Sequence, residues 1–576
     1  MTRPAPTRRE FLIKVSSVSA VIAAGGVLSA CGGGGGGGGD DDAPVAVDAR
    51  MVRFDYGVAS GDPQDDRVIL WTHARYADSG DDVPLRFEMA LDAGFGNILA
   101  AGDAAATAAT GHTVKVDAAG LSAGIEYYYR FRSGRWVSGV GRTRTLPEAT
   151  TTEVKFAVFS CANYPAGFFQ VYGEGARSDA QYAIHLGDYI YEDGVDGYAS
   201  QQAAQLGRLS DPTSEIITLD DYRRRYAQYR SDPDLMNVHA RMPMIAVWDD
   251  HEVANDAWKD GAENHTEGAE GPYAARRAAA QQAWHEWLPI RTGADRARIW
   301  RSFQFGQLVA LHMLDARLAA RDRQVTFEEL LDPQTAAAAR ATLASPTRQM
   351  LGAEQSSFLL QQMAASTATW QVLGQQVLMA RLELPGSVLQ ALLANASADS
   401  FEDAVADYLV ARATPEASRT AAQNALLDSS LNPKLGYNLD AWDGYPVARE
   451  TLLASIAQMN KRLVVLAGDT HNAWHSDLTL AGLIDPAQAN LKVGEEFATS
   501  SVSSPGFESV VPLPGAQLKR LFESVFDDLK WLDPSRRGYL KMTFTPSAAR
   551  ADWIFVDTVV SRAYQVAAPE TRIFGV

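Results

Sequence analysis

Six short apolar runs, each closed by polar or ionisable residues, constrain this chain more than any other feature. They are K-F-A-V-F-S-C (155–161), Y-A-I-H-L-G-D (182–188), M-I-A-V-W-D-D (244–250), L-V-A-L-H-M-L-D (308–315), W-Q-V-L-G-Q-Q (370–376) and R-L-V-V-L-A-G-D (462–469). Runs this continuous read as strands buried on both faces of a sheet. Between them lie stretches with helical patterning, such as Tyr273 to Leu288 and Glu354 to Ser366. The prediction is an α/β layered architecture, in which ligands gather beyond the C-terminal ends of the strands.

Residues 51–148 have a different texture. V-I-L-W-T-H-A-R and L-R-F-E-M-A-L-D alternate in part with period two, and T-V-K-V-D leads into Leu121 to Phe131 without a helical pattern. This predicts a small N-terminal β-sandwich. The spacing of Leu121, Gly124, Tyr127 and Tyr129 resembles the corner of fibronectin-type sandwiches, where a tyrosine hydroxyl ties a loop to its strand. Ser60-Gly61-Asp62-Pro63 reads as a turn. Residues 149–576 form the second domain. Its alanine-rich, helical stretch at about 386–430 reads as an insertion able to lid or widen a cleft, and strands return after Tyr539.

The N-terminus reads as an address rather than a fold. Thr7-Arg8-Arg9-Glu10-Phe11-Leu12 is a twin-arginine pattern, followed by an apolar stretch from Val15 to Ala30. That stretch is too short and too rich in small residues for a membrane span, so residues 1–30 read as an export signal for the twin-arginine translocase. Leu28-Ser29-Ala30-Cys31 resembles a bacterial lipobox, which would place lipid on Cys31 and anchor the chain to a membrane. The glycine run Gly32 to Gly39 and the aspartates after it make residues 31–50 a flexible tether. The expected location is the periplasm or cell surface. With Cys31 lipidated, Cys161 is left unpaired, either as a small buried side chain or as a metal ligand. A formal charge of −18 argues against a nucleic-acid-coating surface, which needs a basic face.

Three of the strand ends carry chemistry: His185 to Glu192 (H-L-G-D-Y-I-Y-E), Val247 to Glu252 (V-W-D-D-H-E) and Leu466 to His471 (L-A-G-D-T-H). Carboxylates and imidazoles delivered together at strand ends hold metal ions and water for hydrolysis. Asp188 can bridge two ions, and a turn returns Tyr191 to the same centre, where a phenolate favours a hard trivalent ion. The alternative is an ordinary turn with a core aromatic. If the first two strands are parallel neighbours, Cys161 reaches the same rim. Asp249 and Asp250 either supply a ligand beside His251 or mark an acidic helix start. His251 itself can protonate a leaving alkoxide. Asn255 and Asp256 come one helical turn later, within reach of a second metal. Asp469 and His471, at i and i+2, point to one side of an extended backbone and divide between two ions. Asn472 and His475 have weaker claims, His475 reading as a surface residue.

These fragments together resemble the PhoD-like alkaline phosphatases. The resemblance rests on V-A-S-G-D-P (58–63), V-I-L-W-T (68–72), F-S-C (159–161), H-L-G-D-Y-I-Y-E (185–192) and W-D-D-H-E-V-A-N (248–255). It continues through L-D-A-R (314–317), L-G-Q-Q-V (373–377), D-A-W-D-G-Y-P (440–446) and G-D-T-H (468–471), spanning about residues 51 to 510. It implies an α/β (α+β) layered metallophosphatase sandwich behind an N-terminal all-β fibronectin/Ig-like sandwich. It further implies Fe(III) held by Cys161, Asp188, Tyr191 and His471, and Ca2+ sharing Asp188 and completed by Asp250, Asn255 or Asp469. A wider similarity to purple acid phosphatases aligns Asp250 and His251 with a second-metal ligand and the proton donor. Arg317 would contact phosphate, a bidentate task that suits a guanidinium, or else form a surface salt bridge. The implied activity is hydrolysis of small or polymeric phosphoesters by metal-activated hydroxide. The rivals are a phosphodiesterase or phospholipase on the same core and a surface lipoprotein without turnover.

Overall fold

The computed structural model describes residues 50–394, 398–511 and 513–575. The expected export signal, Cys31 and the glycine run lie outside them. Two large sheets carry the fold. The first has nine strands in the order 570–575, 548–556, 537–544, 154–159, 182–185, 244–246, 58–61, 67–73 and 113–119. The second has seven, in the order 301–305, 309–313, 370–374, 462–467, 492–498, 473–479 and 529–533. All six apolar runs are strands of these sheets. The middle of each sheet is parallel, as buried runs separated by helices require.

Alternation along the second sheet shows why its strands are apolar throughout. Val372, Val464 and Leu466 join a core shared with Val158 and Ile184 of the first sheet. Leu373, Leu463 and Val465 turn the other way, into a second core under helices Gly352–Ala365 and Pro446–Gln458. The predicted helix from Tyr273 is present as Tyr273–Trp287. The inserted segment is helical, at Gly386–Leu393, Ala398–Ala413 and Ala421–Leu427. It packs on the second core, where Phe401, Val405 and Tyr408 meet Phe522. Among the described residues no helix is long and apolar enough to cross a membrane.

The N-terminal strands form a two-stranded sheet, a five-stranded sheet and the end of the nine-stranded sheet, around a core of their own that includes Val68, Leu70, Leu85, Phe87 and Phe131. The tyrosine corner is present: Ser122 N donates to the Tyr127 hydroxyl at 2.8 Å. One finding was not legible in sequence. The N-terminal sandwich shares a sheet with the second domain, because Gly61 pairs in parallel with Met244. A β-carbon at Gly61 would lie 2.3 Å from Pro289 O and 2.4 Å from Met244 O, so only glycine permits the approach. Asp62 is buried, takes a salt bridge from Arg301 at 2.7 Å and accepts from Arg291 N at 2.8 Å. The tetrad expected as a plain turn is the joint between the two units. Asp62→Ala removes one partner of a buried ion pair and is expected to cost about 3–5 kcal/mol. Urea unfolding measures it, and a loss below about 1 kcal/mol would contradict the joint.

Buried neutral histidines add a pH-dependent element. His285 packs edge-on against Trp284 and Trp248, with Nε2 at 2.8 Å from Arg296 O. Burial pulls its pKa down to about 3. The unfolded chain, near 6.5, binds a proton that the folded chain refuses, so this contribution to stability declines as pH falls from about 6.5 toward 3. His285→Gln lacks the term. The stability gap between the protein and His285→Gln should narrow by about 1.4 kcal/mol per pH unit below 6.5, as paired denaturation curves would show. A gap independent of pH would contradict a buried neutral imidazole.

Candidate metal centre

Strands 154–159, 182–185 and 244–246 are parallel neighbours, with Phe159 opposite His185 and His185 opposite Ala246. Their C-terminal ends therefore present Cys161, Asp188 and Asp249–Asp250 along one rim. Strand Arg462–Ala467 of the other sheet ends at the same place and delivers Asp469 and His471. Close approach of the ends depends on Gly187, at φ +105, where a β-carbon would sit 2.3 Å from that of Asp249.

The backbone at these ends is not extended. Cys161, Asp188, Asp469 and His471 adopt φ of 60, 55, 63 and 64, in the left-handed region that non-glycine residues seldom occupy. Each costs on the order of 1–3 kcal/mol and persists only where neighbours hold it. Glu252 is one such neighbour. Its buried carboxylate accepts the N–H groups of Asp188 (2.9 Å), Tyr189 (2.7 Å) and Asp249 (2.8 Å). The geometry also corrects the expected i, i+2 projection: Asp469 and His471 leave a left-handed turn into separate groups of side chains, one in each.

The first group joins Cys161, Asp188 and His471, with donor atoms within 4.8 Å of one another. Tyr191 lies among them. Its hydroxyl donates to Asp188 Oδ2 at 2.8 Å, stands 3.1 Å from His471 Nε2 and accepts from Ser504 Oγ at 2.7 Å. His471 Nδ1 donates to the carbonyl of Pro505 at 2.8 Å, which leaves the Nε2 lone pair facing the group. Burial pulls the His471 pKa down to about 3, keeping the ring neutral as a ligand must be. Burial and then Asp188 push the Cys161 thiol and the Tyr191 phenol well above their ordinary values. Both therefore hold their protons until a cation displaces them. Cys161, expected from sequence to be unpaired, is a buried free thiol.

Among the described residues three further groups adjoin the first: Asp188 with Asp250 and His251, Asp249 with Asp250 and Asp469, and Glu192 with Asp193 and His251. Asp188 is common to the first two, as a bridging carboxylate would be. Residues 249–256 form turns and not the helix start that acidic residues at this position suggested. Asn255 consequently arrives by a turn, its amide donating to Glu263 at 2.8 Å and its backbone N–H to Glu192 at 2.7 Å. Asp256 closes the same turn, donating its N–H to Asp250 Oδ2 at 2.7 Å.

Arg317 is fully buried, which excludes a surface salt bridge. Its guanidinium meets carboxylates: Asp249 at 2.5 Å, Asp469 at 2.6 Å, Asp250 at 3.6 Å and also Asp440. Asp440 is held from its other side by Arg321. Arg317 thus forms a brace across the carboxylates of the third group.

Sequence reasoning missed the residues that hold the ligands. Glu192 sits 2.6 Å from His251 Nδ1, and Asp440 and Glu252 brace Arg317 and the strand ends. Each is adjacent to or inside a motif already singled out, and that adjacency was the available signal. Asp249 stands in the group with Asp250 and Asp469 rather than at a helix cap. His475, expected at the surface, is buried and bonded to Glu495 at 2.7 Å, while Asn472 donates to Pro534 O at 2.6 Å.

The donor set fits metal ions. Among the described residues, Asp188 Oδ1, Asp249 Oδ2 and Asp250 Oδ1 are buried without a hydrogen-bond partner. A buried carboxylate oxygen without a hydrogen bond is costly, and a cation bound there would offset that cost.

Comparison with known proteins agrees with this geometry. Residues 156–553 match the PhoD-like phosphatase family, and residues 41–147 match the PhoD-like phosphatase N-terminal domain. The chain is 33% identical over 518 residues to alkaline phosphatase D of Bacillus subtilis (strain 168), covering 87% of this chain and 77% of that one. A solved structure of PhoD superposes with a TM-score of 0.72 at 30% identity, covering 91% of this chain and 90% of the other. The chain therefore belongs to the PhoD-like phosphatase family and is a phosphoric ester hydrolase.

Proposed function

We propose that this protein is an exported alkaline phosphatase that works with Fe(III) and Ca2+. The observation that carries the reading is the meeting of a thiol, a phenol, an imidazole and a carboxylate in one pocket beside a second, all-carboxylate set. Thiolate, phenolate and carboxylate together suit a trivalent iron, and carboxylate and amide oxygens suit calcium. Cys161, Asp188, Tyr191 and His471 would hold iron. Asp250, Asp469 and Asn255, sharing Asp188, would hold calcium, with Asp249 beside them. Bound there, the cations supply Lewis acidity and an activated water for attack on phosphorus.

The chain's own residues supply the rest. Arg317 fixes the spacing of Asp249, Asp250 and Asp469, so its part is to hold the carboxylates in register; a turn toward phosphate on loading would add charge stabilisation. His251 is the proton donor to the leaving oxygen. Burial works against its imidazolium, but Glu192, Asp188 and Asp250 outweigh burial and raise its pKa well above the ordinary value.

Dialysis against a calcium chelator is the test. It should remove most of the release of nitrophenol from nitrophenyl phosphate, and added Ca2+ should restore it where Mg2+ does not, since an all-oxygen set of carboxylates and an amide suits the larger coordination shell of calcium. Full activity in chelator would end the calcium reading. Export and anchoring rest on the twin-arginine pattern at Arg8-Arg9 and the lipobox at Cys31. Cys31→Ser should move the protein from the membrane to the soluble fraction, and unchanged membrane retention would remove the lipid.

A further inference from the structure

The last residue of H-L-G-D-Y-I-Y-E, Glu192, is fully buried beside the centre, where it groups with Asp193 and His251. One carboxylate oxygen, Oε2, lies 2.6 Å from His251 Nδ1. The other accepts from the backbone N–H of Asn255 at 2.7 Å and from the amide of Asn264 at 2.8 Å. Asn264 is itself anchored, its carbonyl accepting from Arg276 at 2.9 Å. A carboxylate can only accept, so the Nδ1 proton of His251 is fixed on Glu192, and Nε2 is the nitrogen left for a substrate. The Tyr191 ring lies against the imidazole with centroids 4.1 Å apart, closing one face. The consecutive residues Tyr191 and Glu192 thus divide between two tasks, one in the Cys161 pocket and one behind His251.

We infer that Glu192 is the positioning residue for proton delivery, holding His251 so that Nε2–H is aimed at the leaving oxygen of the phosphoester. The inference rests on the reading of His251 as proton donor. As the bond from phosphorus to the leaving oxygen breaks, its electron pair passes to that oxygen. The Nε2–H bond breaks and its proton goes to the same oxygen, which leaves as an alcohol. His251 is left neutral, with Nδ1–H still on Glu192, and regains a proton from solvent. Such assistance matters for a poor leaving group, an aliphatic alkoxide, and hardly at all for dinitrophenolate, which departs without a proton.

The experiment compares ethyl phosphate with 2,4-dinitrophenyl phosphate, using the full metal-loaded protein. Glu192→Gln should lower kcat on ethyl phosphate by about a hundredfold and on dinitrophenyl phosphate by less than about threefold, with iron and calcium content unchanged. His251→Asn should show the same split, and the double variant should be no slower than His251→Asn, since the two act as one unit. Asn264→Ala, which loosens Glu192 without removing its charge, should show the split at about tenfold and serves if Glu192→Gln fails to fold. Equal losses on both substrates, loss of bound metal in Glu192→Gln, or additive losses in the double variant would overturn the inference. A wild-type protein that turns over neither ester would instead overturn the phosphatase reading beneath it.

Discussion

Asp188→Asn should lower kcat/KM by at least about a thousandfold while the chain stays folded. Asp188 is the carboxylate common to the Cys161–His471 group and the Asp250–His251 group. One of its oxygens accepts from Tyr191, and the other is buried without a partner. The amide keeps the volume and the Tyr191 contact but cannot bridge two cations. The same burial that makes the residue useful makes its charge expensive: desolvation pushes the Asp188 carboxyl well above the usual range. Removing that charge should leave the melting temperature of the metal-free protein unchanged or raised. Steady-state kinetics and thermal unfolding of one preparation check both. Activity within tenfold of the parent would mean that Asp188 does not join the two sites.

Arg317→Met should have the opposite signature, a large loss of stability in the metal-free protein. Its guanidinium is fully buried and meets Asp249, Asp440 and Asp469. Removing one partner of a buried ionic network strands the others, at about 3–5 kcal/mol. Cations at the carboxylates would take over part of the compensation, so the loss should shrink when metal is present. Denaturant unfolding with and without metal tests this. Equal stability of variant and parent without metal would show that Arg317 does not brace the site.

The architecture was largely legible because burial on both faces writes itself into continuous apolar runs. Strand 462–467 shows it, with successive residues facing different cores. The strand-end ligands were legible for the same reason: an apolar run that stops at Asp188, Asp250 or Asp469 marks the rim. The joint at Gly61–Asp62 was not, since a register between residues 61 and 244 is a long-range pairing with no local signal. The left-handed backbone at Asp469 and His471 was missed because G-D-T-H reads locally as the end of an extended strand, although the two residues enter separate groups as expected. Glu192 and Glu252 were missed because a buried acid that accepts backbone N–H groups spells the same as a solvated one.

The relatives of this chain settle the reaction class, and the proposal that its first cation is iron goes beyond them. Metal analysis of the purified protein together with its visible spectrum tests that most directly. Bound iron is expected, with a charge-transfer band that shifts or weakens in both Tyr191→Phe and Cys161→Ala. A fully active protein without iron, or a band unchanged in both variants, would contradict an iron centre built on Cys161, Asp188, Tyr191 and His471.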